Sequence, residues 1–199
     1  MRAIVLLPIL AVATPARADG FLDVIGGISI PAGDSNWTNA VSSSPKLGVR
    51  AGTLAGDIGG MVSADWTPEN TNTKGTTFPG GSSDVSAHRF RVLANLLFAH
   101  RVAPKVTLGV RAGAGVDIDH AGYSVTVLGS TTSASDTDTG LAMELGGGAW
   151  FDVGSMQLGA ELGVPIGLHS HTATTTGDIT FDWTAYDIDL LFVVRLRGH

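Results

Sequence analysis

The chain has 199 residues and carries 12 basic and 18 acidic side chains, which gives a formal net charge of −6. This acidic balance argues against nucleic acid as a partner. The sequence contains no cysteine, so it excludes disulfides and thiolate metal sites.

The first 18 residues are typical of a secretory signal peptide. Arg2 supplies a positive charge, residues 3–13 are apolar, and a small-x-small pattern ends at Ala18. A membrane-anchor helix is the alternative, but the apolar run is shorter than the ~20 residues that a bilayer requires. We therefore predict a cleaved signal peptide over residues 1–18 and one exported domain over residues 19–199.

Beyond the signal peptide, apolar residues occupy every second position in eight segments. In chain order these segments are 22–30, 47–51, 58–66, 88–98, 106–118, 141–151, 156–168 and 186–196. Such alternation predicts β-strands, because a helix would space its apolar residues by three and four. No segment reaches 18 consecutive apolar residues, which excludes a helical membrane protein. Pro165 lies inside the seventh segment, where we expect a bulge or a weakened hydrogen bond.

The connections between the segments alternate between long and short. The long ones are rich in Ser, Thr, Asn, Asp and Gly and span about 32–45, 68–86, 120–138 and 169–180. This rhythm is typical of an up-and-down meander with one looped rim and one tight rim. The predicted fold is therefore all-β, an eight-stranded antiparallel up-and-down transmembrane β-barrel.

The two faces of the segments differ in chemistry. One is continuous in Val, Leu, Ile, Ala and Phe, and the other is rich in Gly with Arg, Glu and Asp. A soluble ligand-binding barrel would turn the apolar face inward. Eight strands enclose little space, so glycine and paired charges suit the interior, and the apolar face suits lipid. We expect aromatic girdles of Phe21, Phe98, Phe151 and Phe192 at the tight rim, and of Trp66, Phe90, Trp183 and Tyr186 at the looped rim.

Charged residues of the inward face form the main candidate site. The mid-height set is a predicted lumen charge network of Arg50, Arg111, Glu144 and Glu161, whose members must pair in so narrow a space. It is interpreted as a static plug, with a gate as the alternative. Nearer the looped rim a second set forms either a cation vestibule or a solvated mouth: Asp65, Arg89, Arg91, Asp117, Asp119, Asp187 and Asp189.

The alternating segments, the loop rhythm and the signal peptide together resemble the small outer-membrane β-barrel proteins. That superfamily includes the outer-membrane protein A transmembrane domain and the opacity-type porins. The resemblance implies a bacterial outer-membrane location, with membrane lipid, lipopolysaccharide and the barrel-insertion machinery as partners. Family members commonly end on an aromatic residue, whereas this chain ends in RLRGH and has Phe192 as its nearest aromatic residue.

Other chemistry is weakly represented. His169 and His171 lie on the same side of one segment, a spacing that can hold a transition metal, but no third ligand is evident, so no metal or other cofactor is predicted. Residues 136–140 resemble the opening of a calcium loop without its later ligands. Some eight-stranded barrels modify lipid A, but His169 and Ser170 point to opposite faces of a strand, which argues against an enzyme.

The sequence thus favours a non-enzymatic barrel with a plugged, charge-paired lumen. We expect a structural or surface-interaction role through four extracellular loops, with a surface partner that the sequence does not identify. The alternatives are a narrow porin-like channel for ions or small solutes and, after it, a lipid A-modifying enzyme.

Overall fold

The computed structural model of the protein describes residues 19–33, 38, 41–71, 76–78, 80–174 and 178–198, with the backbone alone at 76–78, 170–174 and 178–183. The predicted signal peptide lies outside the described residues. The strands are β1 (Asp19–Gly33), β2 (Val41–Ser42), β3 (Ser44–Ala55), β4 (Ile58–Thr71), β5 (Thr76–Phe78), β6 (Gly81–Ala103), β7 (Val106–Val127), β8 (Ser130–Val153), β9 (Met156–Thr174) and β10 (Asp178–Arg197). No helix among the described residues is long and apolar enough to cross a membrane.

Eight long strands close into a ring in the order β3, β1, β10, β9, β8, β7, β6, β4 and back to β3. Every pairing is antiparallel, and each long strand pairs with its neighbour along the chain. β1 and β10 join the two ends of the meander. The predicted eight-stranded up-and-down barrel is thereby confirmed, and β2 and β5 are short additions beside β4 and β6.

Side chains that alternate along each segment of the sequence point alternately to the outside and to the interior of the barrel. Apolar side chains of the alternating segments face outward, and the most exposed, such as Leu96, Ile58 and Leu145, have 65 to 68% of their surface accessible. Charged side chains on the other phase are buried, and Asp23, Asp117 and Asp189 are fully enclosed. The interior is therefore polar along most of its height, the reverse of a soluble barrel.

The connections at the looped rim contain more strand than the sequence indicates. β7 and β8 continue as a hairpin to Leu128 and Gly129, so most of the predicted loop at 120–138 is paired strand. The turn has φ values of 50° and 83°, both positive as in a two-residue hairpin turn. The β8 half of the extension, residues 130–139, is almost entirely polar, so the alternation that Ala121, Tyr123, Val125 and Val127 continue on β7 has no counterpart across the hairpin.

Pro165 locally interrupts the pairing of β9 with β10. The register of β9 against β10 is continuous on either side, from Tyr186 opposite Ile166 to Asp189 opposite Gly163, so there is no bulge. The pairs between these two positions are missing from the β9–β10 ladder. Proline has no N–H to donate, so the hydrogen bonding between β9 and β10 is weakened here, as predicted.

Candidate functional site

The predicted lumen charge network is brought together at mid-height. Arg50 lies on β3, Arg111 on β7, Glu144 on β8 and Glu161 on β9, and all four side chains are buried. Glu161 Oε2 accepts hydrogen bonds from Arg50 Nη1 at 2.7 Å and from Arg111 Nη1 at 2.6 Å. Arg111 Nη2 donates to Glu144 Oε1 at 2.5 Å. A single carboxylate oxygen therefore links two guanidinium groups from different sides of the barrel.

Glycine on the inward face provides the space for this network. A Cβ added to Gly146 on β8 would lie 2.5 Å from Arg111 Nη1. Any larger residue at this position would displace the guanidinium group from its two carboxylates. The inward-facing glycines thus leave room inside the barrel for the large charged side chains.

A second layer lies one step toward the looped rim, and its cation is a residue that the sequence analysis missed. Lys46 Nζ lies 2.9 Å from Asp65 Oδ1 and 2.7 Å from Asp189 Oδ2, and its side chain is buried. Lys46 shares its phase with Gly48 and Arg50 on β3, so the alternation, extended by one more step, identifies it as inward-facing.

A third layer contains the rest of the predicted vestibule, and here the structure contradicts a solvated mouth. Arg89 Nη1 donates to Asp187 Oδ2 at 2.7 Å, and Arg89 Nε donates to Asp119 Oδ1 at 2.9 Å. Arg91 Nη2 donates to Asp117 Oδ2 at 2.8 Å. Apart from the partly exposed Asp119, these side chains are almost completely buried. The charges pair with one another because β6, β7 and β10 bring them together inside the barrel.

His169, on β9, joins this layer. Its Nε2 lies 3.2 Å from Asp119 Oδ2 and 3.6 Å from Asp117 Oδ2, and its Nδ1 lies 3.0 Å from Asp138 Oδ2. These carboxylates, which were not predicted to lie beside His169, come from two strands that pair with each other, β7 and β8. The side chains of Ser170 and His171 lie outside the described part of the chain.

The tight-rim end of the interior is closed by an apolar cluster and an ion pair. Arg195 donates to both oxygens of Asp23, at 2.7 and 2.8 Å, and its guanidinium lies 4.1 Å from the centre of the Phe21 ring and 4.8 Å from that of Trp150. The apolar members around these rings are Ile25, Met61, Leu97, Ala99, Leu191 and Val193. Trp150 is not among the predicted site residues, although it shares its phase with Glu144, Gly146 and Gly148, which face inward on β8.

The assignment of Phe21 to the tight-rim girdle is wrong. Phe21 has only 7% of its surface exposed and packs in the interior, because it lies on the opposite phase from Leu22 and Val24, whose side chains face outward. The other described girdle residues do face outward: Trp66, Phe90, Phe98, Phe151, Tyr186 and Phe192. The side chain of Trp183 lies outside the described residues.

Comparison with known proteins gives matches at the level of structure. No protein-family model matches the chain, and no curated protein matches it. The crystal structure of Neisserial surface protein A is similar with a TM-score of 0.53 at 14% identity, over 89% of this chain and 96% of that one. A major outer membrane protein from Thermus thermophilus is similar with a TM-score of 0.53 at 12% identity, over 90% of this chain and 99% of that one. At this level of identity the likeness shows the fold, which is that of the small eight-stranded outer-membrane β-barrels.

Proposed function

We propose that the protein is an integral β-barrel of the bacterial outer membrane, exported with a cleaved signal peptide, whose lumen is sealed by ion pairs and whose looped end serves a structural or surface-interaction role. In this proposal the barrel is a scaffold and carries out no catalysis. Lipid and lipopolysaccharide surround the apolar belt, and an unidentified partner at the bacterial surface contacts the looped end.

The outer surface supports the membrane part of this proposal. Trp66 and Phe90 are opposite each other on β4 and β6, and Phe98 lies eight residues along β6 from Phe90. At ~3.3 Å per residue and a strand tilt of ~40°, eight residues correspond to roughly 20 Å of height. The outward side chains between these levels are apolar, as a hydrocarbon layer requires.

The observation that carries the sealed-lumen proposal is the ion pair between Arg89 and Asp187. In the ring, β6 and β10 are separated by three strands on either side, so they face each other across the barrel. A 2.7 Å contact between their side chains therefore crosses the full width of the lumen. Below it, Arg50 of β3 reaches Glu161 of β9, so a second connection spans the interior at mid-height.

Single-channel conductance of the purified protein in a planar lipid bilayer tests the proposal. We expect no steady current steps from the wild-type protein, with insertion checked by its resistance to unfolding in detergent. The double variant Arg89→Ser, Asp187→Ser removes both members of the cross-lumen pair, and Asp119 also loses its contact with Arg89. We expect this variant to conduct more than wild type. Arg101→Ser serves as control, because its 2.5 Å ion pair with Asp152 lies at the exposed tight rim.

Steady, reproducible steps from the wild-type protein would overturn the sealed lumen and favour the narrow porin-like channel. The double variant then distinguishes the two kinds of pore. If the Arg89–Asp187 pair is a gate, its removal raises the conductance, whereas an unchanged current means that ions pass elsewhere.

A further inference from the structure

We propose that Asp117, Asp119 and His169 form a binding site for a divalent transition-metal ion such as Zn²⁺ at the looped end of the lumen, with Asp138 orienting the imidazole. Asp117 and Asp119 are two residues apart on β7 and therefore share a face. One ligand atom from each of the three residues lies within 4.8 Å of the others. This site is additional to the sealed lumen and does not depend on it.

Both ring nitrogens of His169 face carboxylates. Asp138 Oδ2 can only accept, so His169 Nδ1, 3.0 Å away, carries the proton of the neutral ring. Nε2 is then an acceptor that faces Asp119 Oδ2 at 3.2 Å and Asp117 Oδ2 at 3.6 Å. In the neutral ring three electron-rich atoms then face one another, and either a cation between them or a second proton on the imidazole removes their repulsion. In metal sites, a histidine that binds the metal through one ring nitrogen commonly donates the N–H of the other to a carboxylate.

The spacing of these atoms suits a small metal ion. At metal–ligand distances of ~2.0–2.2 Å, two ligands of a tetrahedral ion are about 3.3–3.6 Å apart. The two measured separations from Nε2, 3.2 and 3.6 Å, correspond to this value. Glycines leave the site open, since a Cβ added to Gly167 would lie 2.5 Å from Asp117 Oδ2 and one added to Gly140 would lie 2.8 Å from His169 Nδ1.

Two independent features favour a bound cation. Asp119 Oδ2, which faces His169 Nε2, has no hydrogen-bond partner among the described residues. The buried Asp117 accepts from Arg91 at Oδ2 and has no such partner at Oδ1. The described carboxylates of this layer also outnumber its two guanidinium groups, Arg89 and Arg91. They are Glu69, Asp117, Asp119, Asp138 and Asp187. A divalent cation compensates for most of this excess negative charge, which is costly to bury.

The site has a route to solvent. The side chains of Asp119 and Asp138 are 18 and 19% exposed, whereas those of Asp117 and His169 are buried behind them. An ion therefore enters from the looped rim and reaches His169 last. Oxygen and imidazole ligands together favour zinc and its neighbours over Ca²⁺ and Mg²⁺, which prefer all-oxygen sites.

Calorimetric titration of tag-free, chelator-treated protein in detergent with ZnCl₂ tests the site. We expect one equivalent of Zn²⁺ to bind, His169→Gln to abolish this binding, and Asp138→Asn to weaken it by about 10- to 100-fold, the usual effect of losing such a partner. The matched control is His100→Gln, which removes a 2.8 Å His–Asp contact with Asp57 at the exposed tight rim. It should bind Zn²⁺ as wild type does.

The proposal is overturned if wild type binds no Zn²⁺, or if correctly folded His169→Gln binds it as tightly as wild type. Binding of Ca²⁺ as tight as that of Zn²⁺ would also overturn it, because it would show that the site attracts cations by its negative charge alone, without imidazole coordination. Co²⁺ supplies a second readout, since its visible absorption reports the coordination of the ion. A spectrum that His169→Gln removes and His100→Gln preserves would support imidazole coordination.

Discussion

At Glu161 a single carboxylate oxygen accepts hydrogen bonds from Arg50 and Arg111, whereas Glu144 contacts only one of these two guanidinium groups. Removing Glu161 therefore leaves Arg50 without its hydrogen-bonded carboxylate, in a space from which water is largely excluded. Breaking a buried ion pair from one side costs about 3–5 kcal/mol, because the remaining charge stays desolvated.

We expect Glu161→Gln to lower the free energy of unfolding by a few kcal/mol, within that range, and by more than Glu144→Gln does. Urea titration of the protein in lipid vesicles, followed by tryptophan fluorescence, measures both variants. Glu144→Gln is the matched control because Arg111 retains its contact with Glu161. Equal losses from the two substitutions would contradict the bridging role of Glu161.

The orientation of the charges and the grouping of the mid-height set are predictable residue by residue, whereas the pair that crosses the barrel is not. Alternation is a local property, so it assigned Arg50, Arg111, Glu144 and Glu161 to the interior. The pair between Arg89 and Asp187 depends on which strands face each other after the ring closes, and no local pattern contains that information. Phe21 shows a related error, because it was placed by its height at the rim and its phase was ignored.

The strands themselves differ in how far they extend beyond the membrane. All eight alternating segments lie within long strands, but β6, β7 and β8 contain 22 to 24 residues each and continue well past the level of Phe90. Their outer parts are more polar, and on β8 the residues from 130 to 139 show no apolar alternation, so periodicity detects mainly the half of each strand that contacts lipid. This is why the sequence predicted the barrel correctly and described its longest hairpin as a loop.

An epitope inserted at each end of the barrel tests which rim faces the outside of the cell. Inserted between Leu128 and Gly129, at the end of the β7–β8 hairpin, it should bind antibody on intact cells. The same epitope between Gly154 and Ser155, in the short β8–β9 turn, should bind only after permeabilisation. The reverse pattern would contradict an extracellular looped end.

At the scale of the whole molecule, the apolar belt is the feature that separates a membrane barrel from a soluble one. Ala94 and Ser86 are on the same face of β6, eight residues apart, and both are exposed. Ala94 is midway between Phe90 and Phe98, whereas Ser86 is on the looped side of Phe90. The two positions thus share strand and orientation and differ in height.

We expect Ala94→Arg to destabilise the folded protein in lipid vesicles by about 2–4 kcal/mol, the cost of arginine at the bilayer midplane. Ser86→Arg should change the free energy of unfolding by no more than about 0.5 kcal/mol, as exposed substitutions usually do. Both are measured by urea titration. Similar small effects at the two sites would show that the belt does not contact hydrocarbon.

The position of β10 in the ring also has a consequence for the order of assembly. β10 pairs with β1 to close the barrel, and it carries Asp187, Asp189 and Arg195, the partners of Arg89, Lys46 and Asp23. Until β10 docks, each of these three charges lacks a counterion that it has in the finished protein. Closure of the sheet and neutralisation of these interior charges therefore occur together. Partly assembled barrels with unpaired interior charges are unfavourable in lipid, so the last step of assembly is cooperative.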